Sequence, residues 1–157
     1  MKNQVIIITG AAMGLGYAAA EVLASKGAKL ALVDYNEEAL KEAEEKLSSA
    51  YQTEILTVKA DVSNENDVKN YVDATVEKFG KIDGLYNNAG IEGKQAGMTE
   101  YDLEVFKKVI DINLMGVYYG LRYVIPVMQK QKFGRIVNVA SVGGIRGVLN
   151  QTPYVAS

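Results

Sequence analysis

An α/β fold, with helices on both faces of a doubly wound parallel sheet, is predicted by three features of this 157-residue chain. Short apolar runs alternate with amphipathic helical patterns. A glycine-rich turn joins the first run to the first helix. Asp, Asn and Gly recur where successive runs end. Such alternation implies right-handed βαβ units and a parallel sheet. The length suits one domain, residues 1–157, with a sizeable core.

Five runs read as strands buried on both faces: Val5–Thr9, Lys29–Asp34, Glu54–Lys59, Gly84–Asn87 and Arg135–Val139. The first helical pattern carries Leu15, Ala18, Ala19, Val22 and Leu23 on one stripe and closes at Gly27. The second carries Leu40, Ala43 and Leu47, with Glu37–Lys41 and Glu42–Lys46 as i,i+4 pairs on its outer face. The third carries Val68, Tyr71, Val72, Thr75, Val76 and Phe79, with Ser63 or Asn64 as N-cap. The fourth begins with Leu103, Phe106, Val109 and Ile110 and continues through Val117, Leu121, Val124 and Met128. Pro126 is expected to bend or finish it.

Composition narrows the chemistry. The chain has no cysteine and no histidine. That excludes disulfides and a histidine base, and removes the commonest zinc and iron ligands, so no metal site is expected. Acid–base work falls to Asp, Glu, Lys or Tyr. A net charge of −2 gives no reason to expect nucleic acid or an anionic membrane as partner. The uncharged stretch from Val5 to Ala20 contains three glycines and is too short to span a bilayer. Met1-Lys2-Asn3-Gln4 leads into a strand-like run, unlike a signal peptide. A soluble cytoplasmic protein is expected.

The stretch Thr9-Gly10-Ala11-Ala12-Met13-Gly14-Leu15-Gly16 lies between the first strand and the first helix. Gly10 suits a tight turn. Gly14 lets the backbone approach phosphate oxygens, and Gly16 lets the helix start pack on the strand. The unpaired N–H groups and positive dipole end of the helix then face a pyrophosphate. Many glycine loops are only turns, so context must discriminate. Asp34 ends the second strand about twenty residues on, where an acidic side chain hydrogen-bonds ribose hydroxyls. The other reading is a cap for the following helix; strand end and spacing both favour ribose. Asp34 would repel a 2′-phosphate, and Ala12, Met13 and Tyr35 offer no cation to neutralise one. NAD(H) is therefore expected over NADP(H). Ala60-Asp61-Val62 follows the third strand and Asn87-Asn88-Ala89-Gly90 the fourth. Each could be a plain turn. Their recurrence at successive carboxyl ends, where parallel sheets bind ligands, gives them weight.

These residues resemble the short-chain dehydrogenase/reductase family. The glycine loop matches its cofactor motif, and Asn87-Asn88-Ala89-Gly90 its second signature. Asp61 matches the aspartate at the adenine ring. Asn113, in Asp111-Ile112-Asn113, matches the active-site asparagine, and Ser141, in Val139-Ala140-Ser141, the catalytic serine. Tyr154 follows 13 residues later, where the catalytic tyrosine is expected. The stretches from Asn87 to Gln95 and from Ala140 to Gln151 resemble cyclic-alcohol dehydrogenases of that family.

The resemblance implies a single NAD(P)-binding domain with a Rossmann-type sheet in the order 3-2-1-4-5, missing the family's last two strands. It implies NAD held by Gly10, Met13, Gly14, Leu15, Gly16, Asp34, Tyr35, Asp61, Val62, Asn88, Ala89 and Gly90. It implies hydride transfer between a secondary alcohol or ketone and that cofactor. Tyr154 would move the proton, Ser141 would hydrogen-bond the substrate oxygen, and Asn113 would support the site. The family's lysine sits four residues after the tyrosine, at position 158, whereas this sequence ends at Ser157. The expectation is thus a fragment, or the ordered part, of a longer enzyme. That enzyme would form dimers or tetramers through the helix around Val117, Leu121 and Val124. An NAD(H)-binding fragment without activity is the alternative. The outer edge of Arg135–Val139 is expected to lie uncovered, which invites pairing with another chain.

Overall fold

The computed structural model describes every residue, Met1–Ser157. Its sheet holds β1 (Val5–Thr9), β2 (Lys29–Asp34), β3 (Ile55–Lys59), β4 (Gly84–Asn87) and β5 (Arg135–Asn138) in the order β3-β2-β1-β4-β5. All four pairings are parallel. The winding reverses between β1 and β4, which opens a crevice at their carboxyl ends.

Period-two alternation sorts the strand side chains into two cores. Ile6, Ile8, Leu30, Leu32 and Ile55 face α1 (Gly14–Ser25) and α2 (Glu37–Ala50), where they meet Ala20, Ala24, Leu40 and Leu47. Ile7, Ala31, Val33 and Leu85 face the other way, onto Val68, Tyr71 and Val72 of α3 (Glu65–Phe79) and Val124 and Met128 of α5 (Gly116–Gln131). The predicted stripes of α2 and α3 are the buried ones, and Asn64 caps α3. The pairs Glu37–Lys41 and Glu42–Lys46 form on the outer face of α2. No helix is long and apolar enough to cross a membrane.

Four expectations need correction. The buried face of α1 is Gly16, Ala20 and Ala24, while Leu15 is 70% and Val22 55% exposed. The helix start lies so close to β1 that only small residues fit between them. Of the two outcomes expected of Pro126, finishing the helix is the one that fails: α5 runs on to Gln131. Pro126 forfeits one backbone bond on the exposed side, while Val124 and Met128 anchor the helix to the core on either side. The helix stops instead at Lys132, in the left-handed region with φ 56°. The fourth segment is not one α-helix. α4 (Leu103–Ile110) widens into a π turn over Asp111–Met115 before α5 begins. Finally, β5 is not buried on both faces: it stands at the sheet edge with Val137 54% exposed. The chain closes with a short helix, α6 (Thr152–Ala156).

Candidate active site

The carboxyl ends of all five strands carry residues singled out by the sequence, while Asn113 and Tyr154 lie on helical segments. The loop after β1 turns at Gly10, which has φ +65°. A Cβ on Gly16 would collide with the Gly10 carbonyl oxygen, so the glycine is what lets α1 start against the turn. Gly14, with φ +57°, has no heavy atom within 4 Å of where a Cβ would sit. Met13 and Gly14 line a cleft of about 370 Å³ between α1 and α2. Asn36, Asn64 and Asp102 cap α2, α3 and α4 with their side chains, but no side chain caps α1. The first N–H groups of α1 thus lack a side-chain cap, which suits a phosphate. Leu15 and Tyr35 hold their side chains in solvent.

Asn88 and Thr9 fasten the loop to β4. Thr9 is fully buried, and its Oγ1 accepts from the Asn88 N–H at 2.9 Å and the Ala89 N–H at 3.1 Å. The Asn88 amide donates back to the Thr9 and Gly10 carbonyls at 3.0 and 3.3 Å. Gly10 lies against Asn88 and Ala89, and Gly90 against Asn113. Asn87 donates to the Val117 carbonyl at 3.1 Å and to Asn138 Oδ1 at 3.3 Å, joining β4, β5 and α5. Thr9 and Asn87 were given no individual role by the sequence. The available signal was a hydroxyl and an amide at the ends of otherwise apolar strands.

Asp34 does not cap α2; Asn36 does, accepting from the Ala39 N–H at 3.1 Å. Asp34 Oδ2 accepts from the Ala12 N–H and Oδ1 from the Asn36 N–H, each at 3.0 Å. A carboxylate has about four acceptor positions, so two remain for a ligand. In the sheet register Asp34 pairs with Lys59, whose ammonium lies 3.6 Å from Glu37 Oε2. Sequence neighbours gave no hint of this cation. Asp61 Oδ1 accepts from the Ser63 N–H at 2.9 Å and the Ser63 hydroxyl at 2.6 Å, which holds the turn after β3. Val62 is buried against Gly116, where a Cβ would come within 2.9 Å of its Cγ2.

Asn113 sits inside the π turn. Its Oδ1 accepts from the Ile91 N–H and its Nδ2 donates to the Ile91 carbonyl, both at 2.9 Å. The same amide donates to Ser157 Oγ at 3.0 Å, and that hydroxyl donates to the Tyr154 carbonyl at 3.0 Å. The loop after β4 is therefore tied to the helix that carries Tyr154. π turns recur at functional sites, because the extra residue redirects side chains. Ser141 Oγ accepts from the Gly143 N–H at 3.1 Å. Ser141 Oγ and Tyr154 Cε1 lie 3.5 and 3.4 Å from the same point, the position of a Cβ on Gly143. Serine and tyrosine thus share one small space over a buried glycine. Ile145 is 87% and Leu149 86% exposed in the loop between them. That loop is tied to the one after β4 by the Ala96 N–H and the Asn150 carbonyl at 3.0 Å.

Comparison with known proteins identifies the family and its fold. The short chain dehydrogenase family model matches residues 4–157. The chain belongs to the short-chain dehydrogenase/reductase family. Levodione reductase of Leifsonia aquatica is 50% identical over 156 residues, covering 99% of this chain and 58% of the relative. The crystal structure of levodione reductase superposes with a TM-score of 0.96 at 48% identity, covering 99% of this chain and 61% of that one. NAD+-bound xylitol dehydrogenase superposes with a TM-score of 0.95 at 39% identity, covering 99% of this chain and 59% of that one. The chain thus spans under two thirds of the length of these proteins. The sheet order and flanking helices are those of short-chain dehydrogenase/reductase structures, and members of this family are oxidoreductases that use a nicotinamide cofactor.

Proposed function

We propose that the protein is an NAD-dependent alcohol dehydrogenase or ketone reductase acting on a small secondary alcohol or its ketone. The carrying observation is the Asp34 carboxylate, fixed by the Ala12 and Asn36 N–H groups beside the glycine loop. Its remaining acceptor positions suit the two ribose hydroxyls of NAD(H), and its charge opposes a 2′-phosphate. When bound, the nicotinamide supplies or takes the hydride.

The rest of the work belongs to this chain's residues. Gly10, Met13, Gly14, Leu15 and Gly16 bring the start of α1 to the pyrophosphate. Tyr35, Asp61 and Val62 border the adenosine half, and Asn88, Ala89 and Gly90 the crevice at β4. Ser141 Oγ already accepts from Gly143, so its own hydrogen is free for the substrate oxygen. Tyr154 Oη, as phenolate, takes the alcohol proton in oxidation and, as phenol, gives one in reduction. Asn113 keeps the loop after β4 and the Tyr154 helix in register. Exposed Ile145 and Leu149 favour a substrate with an apolar carbon skeleton. The same reading takes residues 1–157 as one cofactor-binding domain of a soluble cytoplasmic homo-oligomer. Exposed Leu114, Tyr118 and Ile125 along the π turn and α5 support the oligomer.

Nicotinamide absorbance tests the reading, with NADH against cyclic ketones and NAD+ against cyclic and sugar alcohols. Turnover with at least one of them is expected. Saturable NADH binding without turnover on any of them would make the domain a binding module.

A further inference from the structure

Asp34 and Lys59 are register partners at the ends of β2 and β3. They emerge on the same face. Leu32, two residues before Asp34, packs in the core beneath α1 and α2. Thr57, two residues before Lys59, hydrogen-bonds Glu44 Oε2 of α2 at 3.2 Å. Adjacent strands lie about 4.8 Å apart, so the four-carbon stem of Lys59 brings an ammonium within reach of any group bound at Asp34. A cation thus stands one strand away from Asp34, despite its absence from the sequence neighbours of Asp34.

That cation is engaged elsewhere. Glu37, the first residue of α2, takes Lys41 on Oε1 at 3.3 Å and Lys59 on Oε2 at 3.6 Å. Hydrogen bonding to Lys41, reinforced by Lys59, holds the Glu37 carboxyl below the usual carboxylate range, so it stays charged at neutral pH. A 2′-phosphate arriving here meets two carboxylates, and both nearby lysines are turned toward one of them.

We propose that Glu37 is a specificity-determining residue: it withholds the Lys59 ammonium from the 2′-phosphate position beside Asp34 and so selects against NADP(H). The proposal rests on the NAD(H) reading above and adds a second device to the Asp34 charge. The pairs are exposed, so the contribution is modest, about two- to fivefold in relative affinity. It shrinks as salt screens the charges.

Titration of NADH and NADPH by nicotinamide fluorescence tests it on the wild-type chain, Glu37→Gln, Lys59→Gln and the double variant. Both residues are exposed and Asn36 still caps α2, so folding is retained. Glu37→Gln is expected to shift the ratio of the two dissociation constants toward NADPH by about two- to fivefold. Most of that shift is expected to vanish in the double variant. An unchanged ratio in Glu37→Gln overturns the proposal. A shift of the same size without Lys59 also overturns it, because charge removal alone would then explain the effect. The NAD(H) reading is judged separately, on the wild type. If the wild type prefers NADPH, that reading falls and the proposal with it. If the wild type prefers NADH but Glu37→Gln changes nothing, only the proposal falls.

Discussion

The Thr9 hydroxyl accepts the backbone N–H of Asn88 at 2.9 Å, a bond between residues 79 apart in the chain. With the return bonds from the Asn88 amide, it makes the glycine loop and the end of β4 a single unit. The two sides of the crevice between β1 and β4 are thereby held in one geometry.

Thr9→Val keeps the shape of the side chain and deletes the acceptor. Two partly buried N–H groups, those of Asn88 and Ala89, lose their partner. A loss of about 1–3 kcal/mol in denaturant unfolding is expected, with weaker NADH binding. Thr9→Ser is expected to restore both. Wild-type stability in Thr9→Val would show that the brace carries no weight.

The loop glycines separate steric from conformational demand. Gly16→Ala drives a methyl into the Gly10 carbonyl and is expected to cost about 1–3 kcal/mol of stability. Gly14→Ala has room for its methyl and meets only the strain of a positive φ, about 1 kcal/mol, yet it intrudes on the phosphate position. Denaturation and NADH titration of both variants read the two effects independently. Gly16→Ala should suffer most in stability, and Gly14→Ala should lose binding out of proportion to its stability. The opposite ranking would contradict the assignment.

Tyr71 is fully buried, and its hydroxyl is without a hydrogen-bond partner near Asn87 and Gly120. Burial pushes its pKa above the ordinary value. The sign follows from the unfolded chain, which releases this proton near pH ~10 while the folded chain keeps it. The Tyr71 contribution to stability is complete below that pH and is lost progressively as pH rises above it. Tyr71→Phe removes the unpaired hydroxyl and is expected to be neutral, or stabilising by up to about 1 kcal/mol, at neutral pH. Its stability should also decline less steeply above pH ~10. Urea melts at a series of alkaline pH values check this. Parallel declines for wild type and variant would rule Tyr71 out as the source.

The fold was largely legible because its signals are local. Apolar runs, the stripes of α2 and α3 and a cap at Ser63 or Asn64 all follow from near neighbours. α1 was misread because the helix meets β1 at the Gly10 turn, and there smallness outweighs apolarity: Gly16, Ala20 and Ala24 go in and Leu15 stays out. The π turn was invisible because one extra residue shifts an apolar stripe without erasing it. At the site, the glycine loop, Asp34, Ser141 and Tyr154 were readable as motifs. The Asp34–Lys59 pairing was not, since it depends on strand register, nor was the Thr9–Asn88 brace, since it depends on which strands lie side by side.

Paired titrations of NADH and NADPH against the wild-type chain, with Asp34→Ala alongside, test the central claim most directly. Saturable binding of NADH, tighter than NADPH, is expected. Loss of the charged hydrogen bonds in Asp34→Ala should weaken NADH by about tenfold or more. Tighter binding of NADPH by the wild type, or an Asp34→Ala variant that holds NADH as well as the wild type does, would contradict it.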